Sequence, residues 1–170
     1  MKQWLLGFTF LGYFFFTQQS MAMQLHGEKA LSLPLYKPSK TGVMKTLDKM
    51  NIKYVVDNEG DLVYTMNKKG WTGYVIFSMA GKNKNLWSLQ MRTQFATKAS
   101  YYDDLLEFTN NWNATHKMPK IAMRNRGKMV LSFNYPVQYG FNPKEFKFNV
   151  FNLFNRTAEE IGAEINSMRR

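Results

Sequence analysis

The fold of this chain depends on residues 100–113, Ser-Tyr-Tyr-Asp-Asp-Leu-Leu-Glu-Phe-Thr-Asn-Asn-Trp-Asn, and on the residues that follow them as far as Tyr135. Ser100 and Asp103 have the spacing of a capping box, which predicts the start of a helix. Pro119 lacks the N–H that a longer helix would need. Apolar side chains recur at helical spacing and form one stripe: Tyr101, Leu105, Phe108 and Trp112. The pattern therefore predicts a helix with one buried face.

A hairpin is predicted directly after this helix. Its strands are Lys120–Asn125 and Lys128–Tyr135, joined at Arg126-Gly127. Each strand alternates apolar and polar residues, which indicates one apolar face. Pro136 ends the second strand because proline cannot donate to a sheet ladder.

The region before the helix contains one short helix and several strands. Thr41 is predicted to cap a helix whose buried face includes Val43 and Leu47, and Asn51 is predicted to end it in a left-handed conformation. Turn residues then separate four apolar runs that predict an antiparallel meander. The runs are Ile52–Asp57, Leu62–Met66, Trp71–Met79 and Leu86–Phe95, the last with Trp87, Leu89 and Met91 on its buried face.

A long amphipathic helix is predicted at the end of the chain. It opens on Asn142-Pro143, a capping residue followed by proline at the first helical position. Seven apolar residues fall on one face at about 100° per residue: Phe146, Val150, Leu153, Phe154, Ala158, Ile161 and Ile165. Phe148 lies opposite this stripe and Phe151 at its edge, so the helix has more apolar surface than one core contact requires. The fold class predicted from all these elements is α+β, an antiparallel sheet with helices packed on it.

The order of elements resembles the YbjN domain family, described as bacterial sensory-transduction regulators. The resemblance covers roughly residues 41–165 and is strongest at Phe108-Thr-Asn-Asn-Trp-Asn113 and at Lys120-Ile-Ala-Met123. It implies a fold similar to that of type III secretion chaperones and a protein–protein interaction. It implies no catalytic site. The predicted YbjN-like domain is residues 41–170.

The first residues have the pattern of a targeting segment. Lys2 supplies positive charge, Trp4–Phe16 is mostly apolar, and Ser20-Met21-Ala22 offers small residues at both recognition positions of a cleavage site. Residues 1–22 are therefore predicted to be a signal peptide, with a short membrane anchor as the alternative. Residues 23–40 are predicted to be an extended lead-in. The expected location is periplasmic or extracellular.

The chain is basic and contains no cysteine. Its net charge is +11, and removal of Lys2 with the signal peptide leaves +10. Disulfides and thiolate metal sites are excluded. Outside the cytoplasm the polyanions available to such a charge are membrane lipids, surface polysaccharides and acidic proteins, and nucleic acid is not an expected partner. The lysines and arginines are scattered along the chain, which favours a solvated basic surface over a dedicated polyanion site.

One polar and aromatic cluster is a candidate interaction site: Asn110, Asn111, Trp112 and Asn113. The asparagine amides offer donors and acceptors to a ligand while Trp112 offers a stacking surface. The alternative is structural, because asparagines near a helix end satisfy free carbonyl groups. Both interpretations remain open at this point.

No cofactor, metal or catalytic residue is predicted. Asp57, Glu59 and Asp61 have a spacing that is also typical of calcium loops, but Lys68 stands where a bidentate acid belongs, so a hairpin turn is expected. His26 and His116 have no neighbouring ligand at metal spacing.

The resulting hypothesis is an exported, non-enzymatic domain that binds another protein, as a chaperone or a regulator. A homodimer is expected to form through Phe148 and Phe151, because self-association covers surplus apolar surface. The competing hypotheses are a binder of anionic lipid or polysaccharide and, last, a hydrolase with dispersed acidic residues.

Overall fold

Six strands form one antiparallel sheet in the computed structural model, which describes residues 35–66 and 70–168. The described residues belong to the unit Leu33–Arg170. The strands are β1 (Tyr54–Val56), β2 (Leu62–Met66), β3 (Trp71–Ala80), β4 (Asn85–Ala96), β5 (Lys120–Asn125) and β6 (Lys128–Pro136). Their order across the sheet is β1-β2-β3-β4-β6-β5. The predicted meander and hairpin are confirmed, and the hairpin extends the meander so that β1 and β5 are the two edges.

Three helical regions of the described residues complete the α+β fold, whose predicted class is confirmed. They are α1 (Lys40–Lys49), α2 (Tyr102–Thr115) and a long helix over residues 143–167. The long helix has three consecutive parts, Pro143–Glu145, a π-helical segment Phe146–Asn152, and Leu153–Ser167. α2 carries the chain from β4 to the far edge of the sheet.

The predicted helix starts at Thr41 and Ser100 are wrong. The predicted start at Asn142 and the predicted end at Asn51 are confirmed. α1 is capped by Ser39, whose Oγ accepts from the N–H of Gly42 at 3.0 Å, so it begins before Thr41 and inside the predicted lead-in. A 3₁₀ turn precedes α2, and Ser100 does not cap it. The predicted cap of the long helix is present, since Asn142 Oδ1 accepts from two N–H groups of the first turn. Asn51 has a φ of 56°, as its predicted role in ending α1 requires.

The core lies on one face of the sheet. Buried residues from every helix and from alternate positions of the strands form one cluster, which includes Leu47, Val75, Leu105, Leu131 and Phe154. Trp87 does not belong to it, contrary to the prediction, and is 52% exposed. The pairs Ser78–Ser88 and Met79–Leu86 leave Trp87 unpaired in a β-bulge. The bulge shifts the alternation, so Leu86 is buried in its place.

Phe151 is also buried, at 5% exposure, and the prediction that it adds to the surface of the long helix is wrong. A π-helical turn holds about one residue more than an α-helical turn, so the apolar stripe changes phase within this segment. Val150 and Phe151 consequently both point inward. The Phe151 ring lies 5.1 Å from that of Tyr64 in β2.

The predicted signal peptide, residues 1–22, and the part of the lead-in up to residue 34 lie outside the described residues. Among the described residues, no helix is sufficiently long and apolar to span a membrane.

Candidate interaction surface at the edges of the sheet

The last turn of α2 covers the outer edge of β5. Asn113 Nδ2 donates to the Ile121 carbonyl oxygen at 2.7 Å, and Asn113 Oδ1 accepts from the Ile121 N–H at 3.0 Å. Trp112 Nε1 donates to the carbonyl oxygen of Pro119 at 3.0 Å. A side-chain amide carries the same donor and acceptor as a peptide group. Asn113 therefore pairs with β5 as a neighbouring strand would.

The same turn is held by Lys120 and His116. Lys120 Nζ donates to the carbonyl oxygens of Asn113 at 2.8 Å and His116 at 2.7 Å, which satisfies groups that the helix end leaves free. The His116 ring stacks on Trp112 with centroids 3.8 Å apart. The lysine and the histidine thus fix the geometry of the two side chains that cover β5.

These contacts divide the predicted site of residues 110–113. Trp112 and Asn113 come together on the edge of β5 and are half-buried. The side chains of Asn110 and Asn111 are exposed on α2. The structural role considered for this cluster accounts for Trp112 and Asn113, and its role in binding stays a prediction.

The opposite edge, at β1, has no such cover from the described residues. The Asp57 N–H donates to the Asp61 carbonyl oxygen at 2.9 Å. Because bonded and non-bonded pairs alternate in an antiparallel ladder, the N–H and C=O groups of Val56 and Tyr54 point away from β2. Val55 and Val56 are 65% and 54% exposed. β1 thus presents backbone donors, acceptors and apolar side chains together.

A row of side chains crosses the face of the sheet opposite the core. Directly paired residues point to the same face, and the register places these residues side by side: Val55, Val63, Tyr74, Arg92, Ser132 and Lys120. All are half-buried except Val55, which is exposed. The row is apolar next to the β1 edge and basic next to the β5 edge. The sequence of each strand shows the alternation but not the row, because the row depends on the register between strands.

The acidic group near β1 forms a turn, as expected. Asp57 Oδ1 accepts from the N–H groups of Glu59 and Asp61, both at 2.9 Å. Asp61 is buried and its Oδ1 accepts from the Phe77 N–H at 2.9 Å. Two of the three carboxylates therefore hold the backbone. Within residues 35–66 and 70–168, no group of three or more His, Cys, Asp or Glu side chains is arranged to bind a metal.

Phe148 remains on the surface of the long helix, 58% exposed. Lys147 Nζ lies 5.1 Å from the centre of its ring. With Phe151 in the core, the apolar surface predicted for the long helix reduces to this one ring.

Two tyrosines next to the edge strands have raised pKa values. Burial raises the pKa of Tyr64 in β2, whose hydroxyl donates to Asn155 Oδ1 at 3.3 Å. Burial also raises the pKa of Tyr135 in β6, and its hydroxyl donates to Glu145 Oε2 at 3.0 Å, which favours the neutral form further. Both side chains are therefore neutral and serve as hydrogen-bond donors at ordinary pH.

An antiparallel sheet with helices on one face and the chain order described above defines a class of α+β domain. The profile of the family described as "YbjN: Putative bacterial sensory transduction regulator" matches residues 39–166. This chain belongs to the YbjN family. The crystal structure described as "YbjN, a putative transcription regulator from E. coli" is similar with a TM-score of 0.66 and 17% identity, over 80% of this chain and 96% of that one. No curated protein matches the sequence significantly.

Proposed function

We propose that this protein is a non-enzymatic regulatory domain that binds a partner protein outside the cytoplasm, and that the partner adds a strand to the β1 edge. The observation that carries the proposal is the contrast between the edges. At β5 a side-chain amide occupies the outward backbone groups of Ile121, whereas the described residues leave those of Tyr54 and Val56 in β1 open.

Strand addition uses an extended segment whose backbone pairs with an exposed sheet edge, while pockets for alternate side chains give specificity. A pocket of about 270 Å³ adjoins β1 and is lined by Lys53, Tyr54, Val55, Val63, Tyr64, Thr65 and Thr72. Its walls are mainly apolar or hydroxylated, with Lys53 as its single charged residue. The partner segment is accordingly an extended peptide with a small apolar side chain facing Val55 and an acidic residue near Lys53.

The family description supports the regulatory part of the proposal. Members are described as sensory-transduction regulators, and the E. coli protein of similar fold as a transcription regulator. A regulator acts through a partner, and the β1 edge provides a surface for one. The sequence pattern of residues 1–22 supports export, so the partner would belong to the cell envelope or the medium.

The test is to recover the carboxyl-terminally tagged chain from the envelope of its host at moderate salt and to measure the intact assembly by native mass spectrometry. We expect a stoichiometric partner, which is either another protein or a second copy of this chain. Val56→Pro removes an outward N–H without touching the β1–β2 ladder and is tolerated at an edge. It should abolish the complex, as should Val55→Lys.

The matched control is Ala122→Lys, which places the same side chain on the exposed face of the other edge strand. It should leave the complex intact. A complex that survives Val56→Pro would contradict strand addition at β1. A dimer that Phe148→Asp dissociates and Val56→Pro does not would assign the interface to the long helix instead.

The proposed export is tested by a separate measurement of where the recovered protein begins. Amino-terminal sequencing of the recovered protein should give Met23 as the first residue. A chain that begins at Met1 would contradict cleavage, while the mass measurement would still decide the interaction.

A further inference from the structure

A second surface lies where the chain enters the described domain, around a pocket of about 320 Å³. The pocket lies between the first residues of the domain, helix α1 and the start of the long helix. Three of its lining residues are lysines, Lys37, Lys45 and Lys49, and all three are exposed. We call these lysines, with the exposed apolar residues beside them, the entry patch.

The lysines of the entry patch are not used by the fold, in contrast to a neighbouring lysine. Lys40 Nζ donates to the Gly60 carbonyl oxygen at 3.0 Å and lies 4.9 Å from the centre of the Phe77 ring. The side chains of Lys37, Lys45 and Lys49 form no ion pair or hydrogen bond with any other described residue. The acid nearest in sequence to the two lysines of α1 is Asp48, whose carboxylate accepts from the Tyr54 hydroxyl at 3.0 Å. The three ammonium groups are thus available to an anionic ligand.

Exposed apolar side chains lie beside these lysines. Leu35, Tyr36 and Tyr139 are 64%, 54% and 90% exposed. Tyr36 and Phe141 exchange two backbone hydrogen bonds of 2.9 Å, which hold the entering chain against the loop before the long helix. Leu35 packs on Gly140, the residue after Tyr139. The backbone therefore keeps all three apolar side chains next to the basic pocket.

We propose that the entry patch binds the surface of an anionic lipid bilayer. The lysines would contact lipid phosphates, and Leu35, Tyr36 and Tyr139 would enter the boundary between headgroups and acyl chains. Combined basic and apolar or aromatic groups are typical of surfaces that lie on membranes. Tyrosine in particular prefers this boundary because its ring is apolar and its hydroxyl polar.

The position of the entry patch in the chain supports a lipid partner over a soluble anion. The polypeptide that precedes residue 35 is attached at this patch, and its sequence includes the apolar segment Trp4–Phe16. The predicted leader would direct the chain to a membrane before it is cleaved, and only residues 23–34 separate its end from the first residue of the patch. The proposal is independent of partner binding at β1, since no residue of the patch belongs to that strand.

The test is sedimentation of the protein, purified from its host, with vesicles of equal parts phosphatidylglycerol and phosphatidylcholine, and with vesicles of phosphatidylcholine alone. Binding to the anionic vesicles should exceed binding to the neutral ones and should weaken as salt rises. Each lysine near an anionic surface contributes roughly fivefold to binding, so Lys45→Glu/Lys49→Glu should weaken it about 25-fold or more.

The matched control is Lys82→Glu/Lys84→Glu, in the exposed turn between β3 and β4. It changes the net charge by the same amount away from the entry patch and should retain most of the binding. Equal losses for the two double variants would overturn the proposal, since attraction would then come from the whole charged surface.

Tyr139→Ser tests the bilayer itself and leaves the fold intact because the side chain is 90% exposed. It should weaken vesicle binding severalfold at unchanged charge. Unchanged vesicle binding by this variant would overturn the proposed lipid contact. Complete competition by millimolar inorganic phosphate would overturn it as well, and would assign the pocket to a small soluble anion.

Discussion

The two edges of the sheet contain the same peptide groups but differ in what pairs with them. At β5 the Asn113 amide takes both outward groups of Ile121, and the Trp112 indole takes the carbonyl of Pro119. At β1 no described residue pairs with the outward groups of Tyr54 and Val56. Native proteins usually protect sheet edges because open ones invite association. The edge at β5 is thus protected where Asn113 meets Ile121, whereas the edge at β1 is suited to a partner.

The largest expected effect comes from removing the cover of β5. Asn113→Leu leaves the Ile121 N–H and C=O without partners, and we expect the free energy of unfolding to fall by roughly 2–3 kcal/mol. Urea unfolding followed by circular dichroism measures the loss. Asn111→Leu, at an exposed position of the same helix, is the control and should stay within about 0.5 kcal/mol. Equal stability of the two variants would mean that the amide does not protect the edge.

A smaller loss is expected at Trp112. Trp112→Phe keeps an aromatic ring but removes the donor to Pro119, which should cost about 1 kcal/mol. Trp87→Phe makes the same change at the exposed bulge and should cost less than about 0.5 kcal/mol. The difference between the two unfolding midpoints in urea checks the prediction, and no difference would contradict it.

Tyr64 and Tyr135, whose pKa values are both raised, are expected to affect stability differently at high pH. A raised pKa means that folding favours the neutral hydroxyl, so this stability is complete below the unfolded pKa of about 10 and is lost as pH rises above it. Tyr64 in β2 is buried, whereas Tyr135 in β6 is half-buried and partly screened by solvent. Tyr64→Phe should therefore flatten the alkaline decline in melting temperature more than Tyr135→Phe. The reverse order would contradict the assignment of burial as the main cause.

The finest distinction is in hydrogen exchange of single amides. The Ile121 N–H is bonded to Asn113, so it should exchange slowly, whereas the outward N–H of Val56 should exchange at nearly the rate of an unfolded peptide. Nuclear magnetic resonance of the protein without its partner measures both. Addition of a partner that pairs with β1 should slow Val56 and leave Ile121 unchanged. Fast exchange at both amides would remove the difference between the edges.

Local patterns were sufficient to predict the elements of the fold. Alternation of apolar and polar residues predicted the strands, and apolar residues at helical spacing predicted the buried stripe of α2. Asn142-Pro143 predicted the start of the long helix. Each of these signals lies within a few neighbouring residues. The predictions failed where one extra residue changes the phase, as at Trp87 in a bulge and at Phe151 in a π-helical segment. The composition of these segments does not indicate the extra residue.

The candidate surface was only partly predictable for a different reason. The asparagine-rich end of α2 was singled out from its sequence, but its contact with Ile121 depends on the position of β5 beside the helix. The open edge at β1 required the order of all six strands. Properties of an edge belong to the sheet as a whole, so a single strand's sequence does not contain them.

The contact between Asn113 and Ile121 also has a consequence for the order of folding. The two residues are only eight positions apart. Closing so short a loop costs little chain entropy, so the amide can reach β5 as soon as the helix and hairpin form. During synthesis this edge can thus be shielded from neighbouring chains without waiting for the long helix, which lies later in the chain.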